Sequence, residues 1–392
     1  MSQGILVINA GSSSLKFTLF EQIDDDATEA TSGQIAGIGS HPRFKAEDGE
    51  GQKQTHDWGK GNKSIGHGEC LSYILDWLKE NFGHIEIIAA GHRVVHGGLE
   101  FTTPVKITDE TLAKIIEKTP LAPLHQPHNI APIEILRKLN PSLTQVAVFD
   151  TAFHRTQPEL AQMYAIPREL IEEDQIRRYG MHGISYEYIA HKLEEVAPEV
   201  AKGRVVVAHI GSGASLAALK DGKSQATTMG FTALEGLPMG TRPGNIDAGI
   251  LLWLMQNKGF DANRMEKFLY HECGMLGFTQ ISNDFYEVET SDDPRAKQGY
   301  ALMGYQTARQ IASLSAAIGG MDAIVFTAGV GERGPLLRGP VCEQLSYFGI
   351  ELDEKANNNN EFLISTPNSK VKVMVIPTNE ELMIARHTLH LL

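Results

Sequence analysis

Residues 4–20 read Gly-Ile-Leu-Val-Ile-Asn-Ala-Gly-Ser-Ser-Ser-Leu-Lys-Phe-Thr-Leu-Phe. A buried run, a turn of small residues and a second run of largely alternating character predict a β-hairpin. The small tip lets backbone N–H groups approach an anion, and Ser12 and Ser14 add hydroxyl donors. Lys16 supplies a cation just beyond the tip. An ordinary N-terminal hairpin is the alternative interpretation of this stretch taken alone.

The chain contains a second copy of this pattern. Residues 207–216 read Val-Ala-His-Ile-Gly-Ser-Gly-Ala-Ser-Leu, which matches Val-Ile-Asn-Ala-Gly-Ser-Ser-Ser-Leu at 7–15. Each is a strand that ends in a polar residue, a Gly-Ser turn and a second strand. An internal repeat at this spacing predicts two related domains that face each other, each with a hairpin for phosphate.

Size and composition limit the class of protein. A chain of 392 residues is too long for one typical core, and strands separated by helices indicate α/β domains. The net charge of −13 argues against a nucleic-acid partner. Neither a signal peptide nor an apolar run of bilayer-spanning length is recognisable, and the 3 cysteines are widely spaced. We therefore expect a cytoplasmic protein with no membrane partner and no zinc site.

Periodicity predicts the order of the elements. Residues 24–64 are polar and glycine-rich and are expected to form exposed hairpins and loops without chemistry. Short buried strands are expected at 85–90, 146–149, 322–328 and 371–376. Helical spacing predicts helices over 71–82, 108–118, 185–196, 247–258, 262–272, 294–318 and 335–347, and one that closes the chain.

Residues 329–334 match the dinucleotide fingerprint G-x-G-x-x-G between a strand and a helix. No convincing Rossmann half follows it, so nicotinamide or flavin binding is the weaker alternative. A glycine turn that serves an adenosine or a phosphate is favoured. The Walker A motif and the protein-kinase motifs are absent.

Cationic side chains occur at turns flanked by Gly or Pro: Arg93, His182 and Arg242, with His125 as a further candidate. Each alone is more often a structural arginine or a hydrogen-bonded histidine. Together they suit a site that clamps an anion. His92 and His96 have a spacing that could bind metal on a helix, but the neighbouring glycines argue against a helix, and we interpret both as structural.

Two carboxylates follow strands, where the sites of α/β proteins collect: Asp150 and Glu380. An isolated carboxylate is usually solvated, which is the alternative for each. Mg²⁺ takes oxygen ligands from few protein groups and from substrate phosphates. Glu380 and Asn9 suit that role.

Several motifs together closely resemble the acetate kinase (acetokinase) family, in the family's order and across essentially the whole chain. They are residues 7–16, Gly-His-Arg-Val-Val-His-Gly-Gly at 91–98, Phe-Asp-Thr-Ala-Phe-His at 149–154, Met-Gly-Thr-Arg-Pro-Gly at 239–244, Phe-Thr-Ala-Gly-Val-Gly-Glu at 326–332 and Thr-Asn-Glu-Glu at 378–381. The resemblance implies a duplicated α/β fold of the actin and ribonuclease H type, with the nucleotide cleft between the domains. It implies an N-terminal domain of residues 1–149 plus about 382–392, against which the last helix packs, and a C-terminal domain of 150–381 with the nucleotide pocket.

The resemblance also implies an activity: reversible transfer of a phosphoryl group from ATP to acetate, which gives acetyl phosphate and ADP. It implies Mg²⁺ (Mn²⁺ as an alternative) and a homodimer. Asn9 and Glu380 would hold the metal, and Arg93 the acyl substrate. Asp150 would be the catalytic carboxylate, His182 and Arg242 would stabilise the transition state, and His125 is a further catalytic candidate.

By the same resemblance, the acyl pocket would be Val95, Leu124, Met181 and Ala233. The nucleotide would contact Ser12, Ser14, Lys16, His209, Ile210, Gly211, Ser212, Gly213, Asp284, Phe285, Tyr286, Gly329, Val330, Gly331, Glu332 and Arg333. Val95 favours acetate, whereas the flexible Met181 and the small Ala233 leave room for some propionate activity.

The chemistry suits these residues independently. A carboxylate nucleophile is already ionised at neutral pH, so no general base is required, and the obstacle is repulsion between two anions. Two arginines, a histidine and Mg²⁺ oppose that repulsion. We therefore expect Asp150 to orient Arg93 or a metal-bound water rather than to remove a proton.

The chain departs from the family pattern at four positions. Ser212, Tyr286, Arg333 and Tyr186 stand where the family usually has Asn, Arg, Asn and His. Three of the four are on the nucleotide side. The identity of the phosphoryl donor is therefore predicted less well than that of the acyl substrate. Two alternatives follow: a kinase for propionate or another short-chain acid, and a nucleotide-binding module that has lost catalysis.

Overall fold

The computed structural model describes residues 1–24, 26–48, 50–62 and 65–392. The chain forms two compact units: unit 1 is residues 1–153 with 379–392, and unit 2 is residues 154–378. The predicted boundaries assigned Asp150 and Glu380 to the C-terminal domain. The compact units instead put both carboxylates in unit 1, together with Asn9 and Arg93.

Unit 1 is built on a sheet that has eight strands among the described residues, in the order β5-β4-β3-β2-β1-β6-β8-β7. β1 is antiparallel to β2 and parallel to β6, and β6 is parallel to β8. The strands are β1 Ser2–Ala10, β2 Ser14–Ile23, β3 Asp26–Ala36, β4 Arg43–Glu47, β5 Lys53–Asp57, β6 Ile85–Val94, β7 Val105–Lys106 and β8 Thr144–Phe149.

The polar stretch 24–64 forms β3, β4 and β5, antiparallel strands that extend this sheet, which confirms the predicted hairpins. Residues 25, 49, 63 and 64 of that stretch lie outside the described residues. The strand predicted to end at residue 90 continues to Val94. Arg93 therefore lies inside β6, next to its last residue, and not in a turn after the strand.

Unit 2 repeats the central part of this topology. Its sheet has the order β11-β10-β9-β12-β13, with β9 antiparallel to β10 and parallel to β12. That order is the order of β3-β2-β1-β6-β8 in unit 1, so the predicted duplication is confirmed. The strands are β9 Arg204–Ile210, β10 Ala214–Lys220, β11 Lys223–Thr227, β12 Ala323–Thr327 and β13 Lys372–Val375.

The helices predicted from the sequence begin and end close to the predicted positions, whereas the helix Gln126–Leu139 and several short helices were not predicted. Thr108 caps α2 as predicted, with its side chain accepting a hydrogen bond from the N–H of Thr111. The α-helices of the described residues are α1 His67–Phe82, α2 Asp109–Glu117, α3 Gln126–Leu139, α4 Glu159–Gln162, α5 Arg168–Glu172, α6 Gly183–Val196, α7 Pro198–Ala201, α8 Ala248–Lys258, α9 Ala262–Lys267, α10 Gly274–Thr279, α11 Phe285–Glu289, α12 Pro294–Ala317, α13 Ala328–Arg333, α14 Pro335–Gln344, α15 Glu354–Asn358 and α16 Glu380–His390. Shorter helical turns are Thr119–Leu121, Ala152–Thr156, Phe268–Glu272 and Ser346–Phe348.

Two segments differ from the predicted helices and turns. The predicted helix 262–272 is α9 followed by a π-helical turn, Phe268–Glu272. The glycine stretch after β12, predicted as a turn, is the short helix α13. No helix of the described residues is both long enough and apolar enough to cross a bilayer.

The closing helix α16 belongs to unit 1 and packs on β1, β3 and β6. Gly91 of β6 permits this packing, because a Cβ atom there would lie 2.5 Å from Oγ1 of Thr388 and 2.6 Å from Cγ2 of Ile384. The helix begins at Glu380, directly after Asn379, whose side chain accepts a hydrogen bond from the N–H of Leu382. This packing therefore brings Glu380 into the same unit as the first hairpin.

Candidate active site

The first hairpin is the β1–β2 pair. Its register sets Asn9 opposite Lys16, and the turn closes with a 2.9 Å hydrogen bond from the N–H of Gly11 to the carbonyl of Ser14. Ser12 and Lys16 are exposed. The turn thus presents hydroxyl groups and one cation to solvent, as the sequence predicts.

Buried or half-buried polar side chains form hydrogen bonds with carbonyl groups of the turn. Nδ2 of Asn129 donates to the carbonyl of Ala10 at 2.8 Å, and Nε2 of His67 lies 2.8 Å from the carbonyl of Gly11. The N–H of Ile38 donates to the carbonyl of Ser13 at 3.0 Å. These bonds hold the turn in one conformation, which a loop that binds phosphate needs.

Arg93 is fixed by two partners in unit 1. Its Nε and Nη2 donate to the two carboxylate oxygens of Asp150 at 3.2 and 2.6 Å, and its Nη1 donates to Oδ1 of Asn9 at 3.3 Å. Asp150 is only 1% exposed and Arg93 21% exposed. Burial disfavours the charged guanidinium, but Asp150 and then Glu380 outweigh it, so the pKa of Arg93 is above its ordinary value. The arginine is a fixed, permanently charged group at the mouth of this cluster.

Glu380 lies in the same electrostatic cluster. Burial, with Asp150 and Glu381 adding to it and Arg93 and Lys16 opposing it, raises the pKa of Glu380 to about 7. No described residue donates a hydrogen bond to its carboxylate or forms an ion pair with it. The group is therefore an uncommitted oxygen ligand with a proton that a cation could displace.

The donor chemistry of unit 1 fits a hard cation. The oxygens near Arg93 that could bind it are the carboxylate of Glu380 and the amide oxygen of Asn9, which accepts one long hydrogen bond from Arg93 and keeps a second lone pair. Both are the type of ligand that Mg²⁺ prefers. Both carboxylate oxygens of Asp150 are already used by Arg93. Among the described residues, no group of three His, Cys, Asp or Glu side chains could hold a metal. Such a site would therefore hold a metal through few protein ligands, which is usual when phosphates complete the coordination shell.

The second hairpin is the β9–β10 pair, whose register sets His209 opposite Ser215. Its turn closes with a 3.0 Å hydrogen bond from the N–H of Gly211 to the carbonyl of Gly213. A Cβ atom at Gly213 would lie 3.0 Å from Nη2 of Arg242 and 3.2 Å from Nε2 of His182. A side chain at this position would displace one or both of these nitrogens, because the guanidinium and the imidazole approach the turn closely.

Arg242 and His182, predicted together, are therefore brought together on this turn. Nη1 of Arg242 donates to the carbonyl of Ala233 at 2.8 Å, and no described carboxylate forms an ion pair with it. Burial lowers the pKa of Arg242 from its ordinary value, with Tyr270 opposing. His182 is the N-cap of α6 and has a left-handed backbone, with φ of 58°. A non-glycine residue in that conformation costs of order 1–3 kcal/mol and is found mainly at functional sites.

His182 stacks on His209, with ring centroids 4.1 Å apart and an angle of 15° between the planes. Each ring is bonded through Nδ1 to a buried serine: His182 to Ser215 at 2.9 Å and His209 to Ser185 at 2.8 Å. Oγ of Ser185 in turn lies 2.9 Å from Oγ1 of Thr378. Ser185 and Ser215 are not predicted from the sequence, because each lies far along the chain from the histidine that it contacts.

A pocket of about 490 Å³ opens beside the second hairpin, within unit 2. Three segments line it: Gly211 and Ser212 of the turn, Asn283 to Tyr286 with Glu289, and one side of α13. The residues that line it from α13 and just beyond it are Gly329, Val330, Arg333 and Gly334. Its size suits a nucleoside.

Eight of the sixteen residues predicted for the nucleotide line this pocket, and the others have different surroundings. Glu332 accepts a hydrogen bond from the N–H of Thr378 at 3.1 Å, and the carbonyl of Gly331 accepts one from Arg338 at 2.8 Å. His209 and Ile210 are buried, and Gly213 lies against Arg242 and His182. Asn283, Glu289 and Gly334 line the pocket without having been predicted. Gly334 could have been found, since it completes the glycine fingerprint.

The remaining predicted residues are the catalytic candidate His125, the residues predicted for the acyl pocket and the two histidines predicted to be structural. His125 is the N-cap of α3. Val95, in unit 1, is buried, and its N–H donates to Oδ1 of Asn129 at 3.0 Å, whereas Leu124 is half-buried. Met181 is buried in unit 2. His92 and His96 are buried, and burial lowers the pKa of His92 to about 4 and that of His96 to about 3, which agrees with structural roles.

Comparison with known proteins gives the family. The sequence profile of the Acetokinase family matches residues 4–386, and an acetate kinase from Rhodopseudomonas palustris (strain TIE-1) is 47% identical over 392 residues, covering 99% of this chain and 98% of the relative. The chain belongs to the acetokinase family. It is therefore a phosphotransferase of this kinase family, as the motifs predicted.

Two solved structures extend the comparison of this acetokinase-family chain to its fold. A propionate kinase from Francisella tularensis subsp. tularensis SCHU S4 matches with a TM-score of 0.92 and 38% identity over 100% of both chains. The acetate kinase of Porphyromonas gingivalis matches with a TM-score of 0.89 and 37% identity, also over 100% of both chains. The predicted duplicated actin-like fold is confirmed by these matches.

Proposed function

We propose that the protein transfers the γ-phosphoryl group of ATP to acetate, reversibly and in line, giving acetyl phosphate and ADP. The observation that carries the proposal is the distribution of arginine and histidine N–H donors. Arg93 is held by a carboxylate and an amide in unit 1, and His182 and Arg242 meet on a glycine turn in unit 2. A reaction between two anions needs cations and N–H donors of this kind, and it needs no general base.

In this proposal, Arg93 binds the carboxylate of the acyl substrate. Asp150 holds its guanidinium through two hydrogen bonds, so that the remaining N–H groups have one orientation. Asp150 acts as a positioning group, because both of its oxygens accept from Arg93 and a carboxylate substrate has no proton to lose. His182 and Arg242 bind the equatorial oxygens of the transferring phosphoryl group and oppose its developing charge.

The nucleotide would occupy the pocket of about 490 Å³, with its phosphates toward the Gly211–Gly213 turn. Ser12, Ser14 and Lys16 of the first hairpin are further proposed phosphate ligands. Mg²⁺ would be held by Glu380 and Asn9, and when bound it would neutralise charge on the phosphate oxygens. Mn²⁺ has the same ligand preference and is expected to replace it.

The test is an assay of acyl phosphate formation, in which hydroxylamine traps the product as a hydroxamate. Acetate, propionate and butyrate are compared with ATP, GTP and pyrophosphate as donors, with and without Mg²⁺. We expect acetate with ATP and Mg²⁺ to give the highest kcat/KM. Absence of acyl phosphate with every acid and donor would contradict the proposal and favour a non-catalytic nucleotide-binding module.

Propionate is the second candidate substrate, because the propionate kinase structure matches this chain with a TM-score of 0.92. One methylene in an apolar pocket changes selectivity by only about 1–3 kcal/mol. A kcat/KM for propionate well above that for acetate would replace acetate by propionate and leave the rest of the proposal unchanged.

We also propose a homodimer that uses the exposed helix α8. None of its residues is buried, although its sequence is Ala-Gly-Ile-Leu-Leu-Trp-Leu-Met-Gln-Asn-Lys. Leu252 is 57%, Trp253 52% and Met255 50% exposed. A contiguous apolar surface of this kind is usually covered by a partner, and a second copy has the matching surface by symmetry. Light scattering of the wild type against Trp253→Glu tests this: we expect a dimer that becomes a monomer, and a monomeric wild type would contradict it.

A cytoplasmic location is proposed as well, since ATP is a cytoplasmic substrate. Fractionation of cells with an antibody against the chain would test it.

A further inference from the structure

Three hydroxyl and imidazole groups form a continuous chain behind the second hairpin. The hydroxyl of Tyr186 lies 2.6 Å from Oγ of Ser215, and Oγ of Ser215 lies 2.9 Å from Nδ1 of His182. Tyr186 and Ser215 are both 0% exposed, so no solvent competes for these bonds. Nε2, the other nitrogen of His182, is the one that lies beside the Gly213 turn and Arg242.

The direction of these bonds is restricted by the chemistry of serine. Its hydroxyl has one proton and two acceptor lone pairs, so it can donate to no more than one of its two partners. A phenol is a better donor than an alcohol, and an imidazole nitrogen is a better acceptor than a phenol oxygen. Donation from Tyr186 to Ser215 and from Ser215 to Nδ1 is therefore the favoured arrangement. It leaves the single proton of a neutral imidazole on Nε2.

We infer that Tyr186 and Ser215 are positioning residues that hold His182 as the Nε2–H tautomer, with that N–H directed at the phosphoryl site. The inference rests on the proposed function for its consequence in catalysis, but the tautomer itself can be observed without any reaction. Neither residue touches substrate in this scheme. Both act through His182.

The scheme requires a neutral His182, and the position of Arg242 is consistent with that requirement. Its guanidinium reaches the same glycine turn as Nε2 of His182. A second positive charge beside Arg242 would be opposed by repulsion. A neutral Nε2–H still donates to a phosphoryl oxygen, so the tautomer, and not the net charge, is the property that must be controlled.

The backbone adds a reason why such control is needed. His182 has a left-handed conformation, with φ of 58°, at the first position before α6. In this position a side chain is not held by the packing of a regular helix. The hydrogen bond between Ser215 and Nδ1 and the stacked ring of His209 both restrain the orientation of the imidazole.

The experiment combines kinetics with 15N NMR of the histidine rings, on the full chain labelled at histidine. The variants are Ser215→Ala and Tyr186→Phe, and Tyr179→Phe is the matched control. Tyr179 is also buried in unit 2, and its hydroxyl donates instead to the carbonyl of Gln175 at 2.9 Å. His182→Gln identifies the ring signals of His182.

In the wild type we expect an unprotonated Nδ1 and a protonated Nε2 for His182. Ser215→Ala should give a mixture of tautomers and lower kcat by roughly tenfold to a hundredfold, the usual cost of losing the group that orients a histidine. The KM values for acid and nucleotide should stay within about twofold, because ground-state binding is unchanged. Tyr186→Phe should show a smaller loss in kcat, and Tyr179→Phe none.

A protonated Nδ1 in the wild type would overturn the inference, as would an unchanged kcat and tautomer in folded Ser215→Ala. If Ser215→Ala does not fold, Tyr186→Phe, which keeps the ring volume, decides in the same way. A wild type that makes no acyl phosphate would instead contradict the proposed function, and the ring signals would still report the tautomer.

Discussion

The two hairpins share a backbone and differ in the charge around them. In unit 1 the strand-end pair is Asn9 and Lys16, and in unit 2 it is His209 and Ser215. Beside the first hairpin, Arg93 is paired with Asp150. Beside the second, the guanidinium of Arg242 donates to the carbonyl of Ala233, and no described carboxylate lies within ion-pair distance of it. One arginine is neutralised, and the other is not.

This difference suggests a division of work between duplicated domains. An arginine held by a carboxylate has a fixed geometry and suits the binding of a substrate that is charged from the start. A cation without a counter-ion is available to charge that develops in the transition state. The topology that places both groups is the same, so the functional difference comes from a few strand-end side chains.

The largest expected effects come from replacing each arginine by lysine, which keeps the charge and loses the fork of donors. Arg93→Lys should raise KM for the acid and lower kcat/KM for it by about 10²–10³, the usual cost of one such donor. Arg242→Lys should lower kcat by the same order and leave both KM values nearly unchanged. Steady-state kinetics with acid and ATP varied separately measures this.

If the two variants show the same changes in KM and kcat, the proposed difference in role between Arg93 and Arg242 is contradicted. In that case both residues would act in the same step. The division of work would then be wrong even if the overall reaction is correct.

A third arginine, Arg338, also lacks a carboxylate partner among the described residues, and its role can be tested by the free energy of unfolding. Arg338 of unit 2 is 0% exposed and donates at 2.6–2.8 Å to the carbonyls of Gly331 and Asn357 and to the side chains of Asn357 and Asn360. No carboxylate of the described residues pairs with it, and burial lowers the pKa of Arg338 to about 10. Arg338→Met should lower the free energy of unfolding by about 3 kcal/mol, because several buried acceptors lose their donor.

The control for Arg338→Met is Arg204→Met, which removes a half-exposed ion pair with Asp322 in the same unit. Exposed pairs contribute roughly 0–1 kcal/mol, so the control should be nearly neutral. Chemical denaturation of both variants measures the difference. Equal losses would mean that the buried network around α13 is not what stabilises the unit.

The sequence predicted the repeated hairpins and the α/β class because these depend on local patterns. Apolar periodicity gives the strands, and glycine and serine mark the turns. The predicted site residues Arg93 and Asp150 are indeed bonded to each other in unit 1. The motif order was informative because most of the motifs lie at the end of a strand, and neighbouring strand ends share one edge of a sheet.

Other features could not be read from the sequence because they depend on contacts between distant residues. Tyr186 and Ser215 are 29 positions apart, and no local pattern links them. The unit that contains Glu380 depends on where α16 packs, and that depends on the absence of a side chain at Gly91. The polar stretch 24–64 gave hairpins, but its place at the edge of the sheet follows from tertiary pairing.

The glycines of the two turns provide a matched pair of smaller effects. A Cβ atom at Gly213 would press on Arg242 and His182, at 3.0 and 3.2 Å, whereas one at Gly11 would meet only the hydroxyl of Ser14 at 3.1 Å. Gly213→Ala should therefore lower kcat by roughly tenfold to a hundredfold, because small displacements of catalytic groups are costly. Gly11→Ala should change kcat by less than about twofold, since a serine hydroxyl can rotate. Equal losses would show that both turns bind phosphate equally closely.

The smallest effect concerns the proton on Glu380, which has no counterpart at the second hairpin among the described residues. Its pKa is raised to about 7, so ionising it costs stability as the pH rises through that value in metal-free protein. Mg²⁺ binding should reverse this cost, because the cation needs the carboxylate and competes with its proton. The apparent affinity for Mg²⁺ should therefore rise by about tenfold between about pH 6 and pH 8.

Thermal unfolding at both pH values, with and without Mg²⁺, measures this linkage. Glu380→Gln should abolish both the loss of stability with rising pH and the larger stabilisation by Mg²⁺ at the higher pH. Glu381→Gln is the control: Glu381 raises the pKa of Glu380 only as a secondary contribution, so the same dependence should persist at a slightly lower pH. If stabilisation by Mg²⁺ is independent of pH in the wild type, Glu380 is not the group that exchanges a proton for the metal, and the charge balance assigned to the first hairpin must be revised.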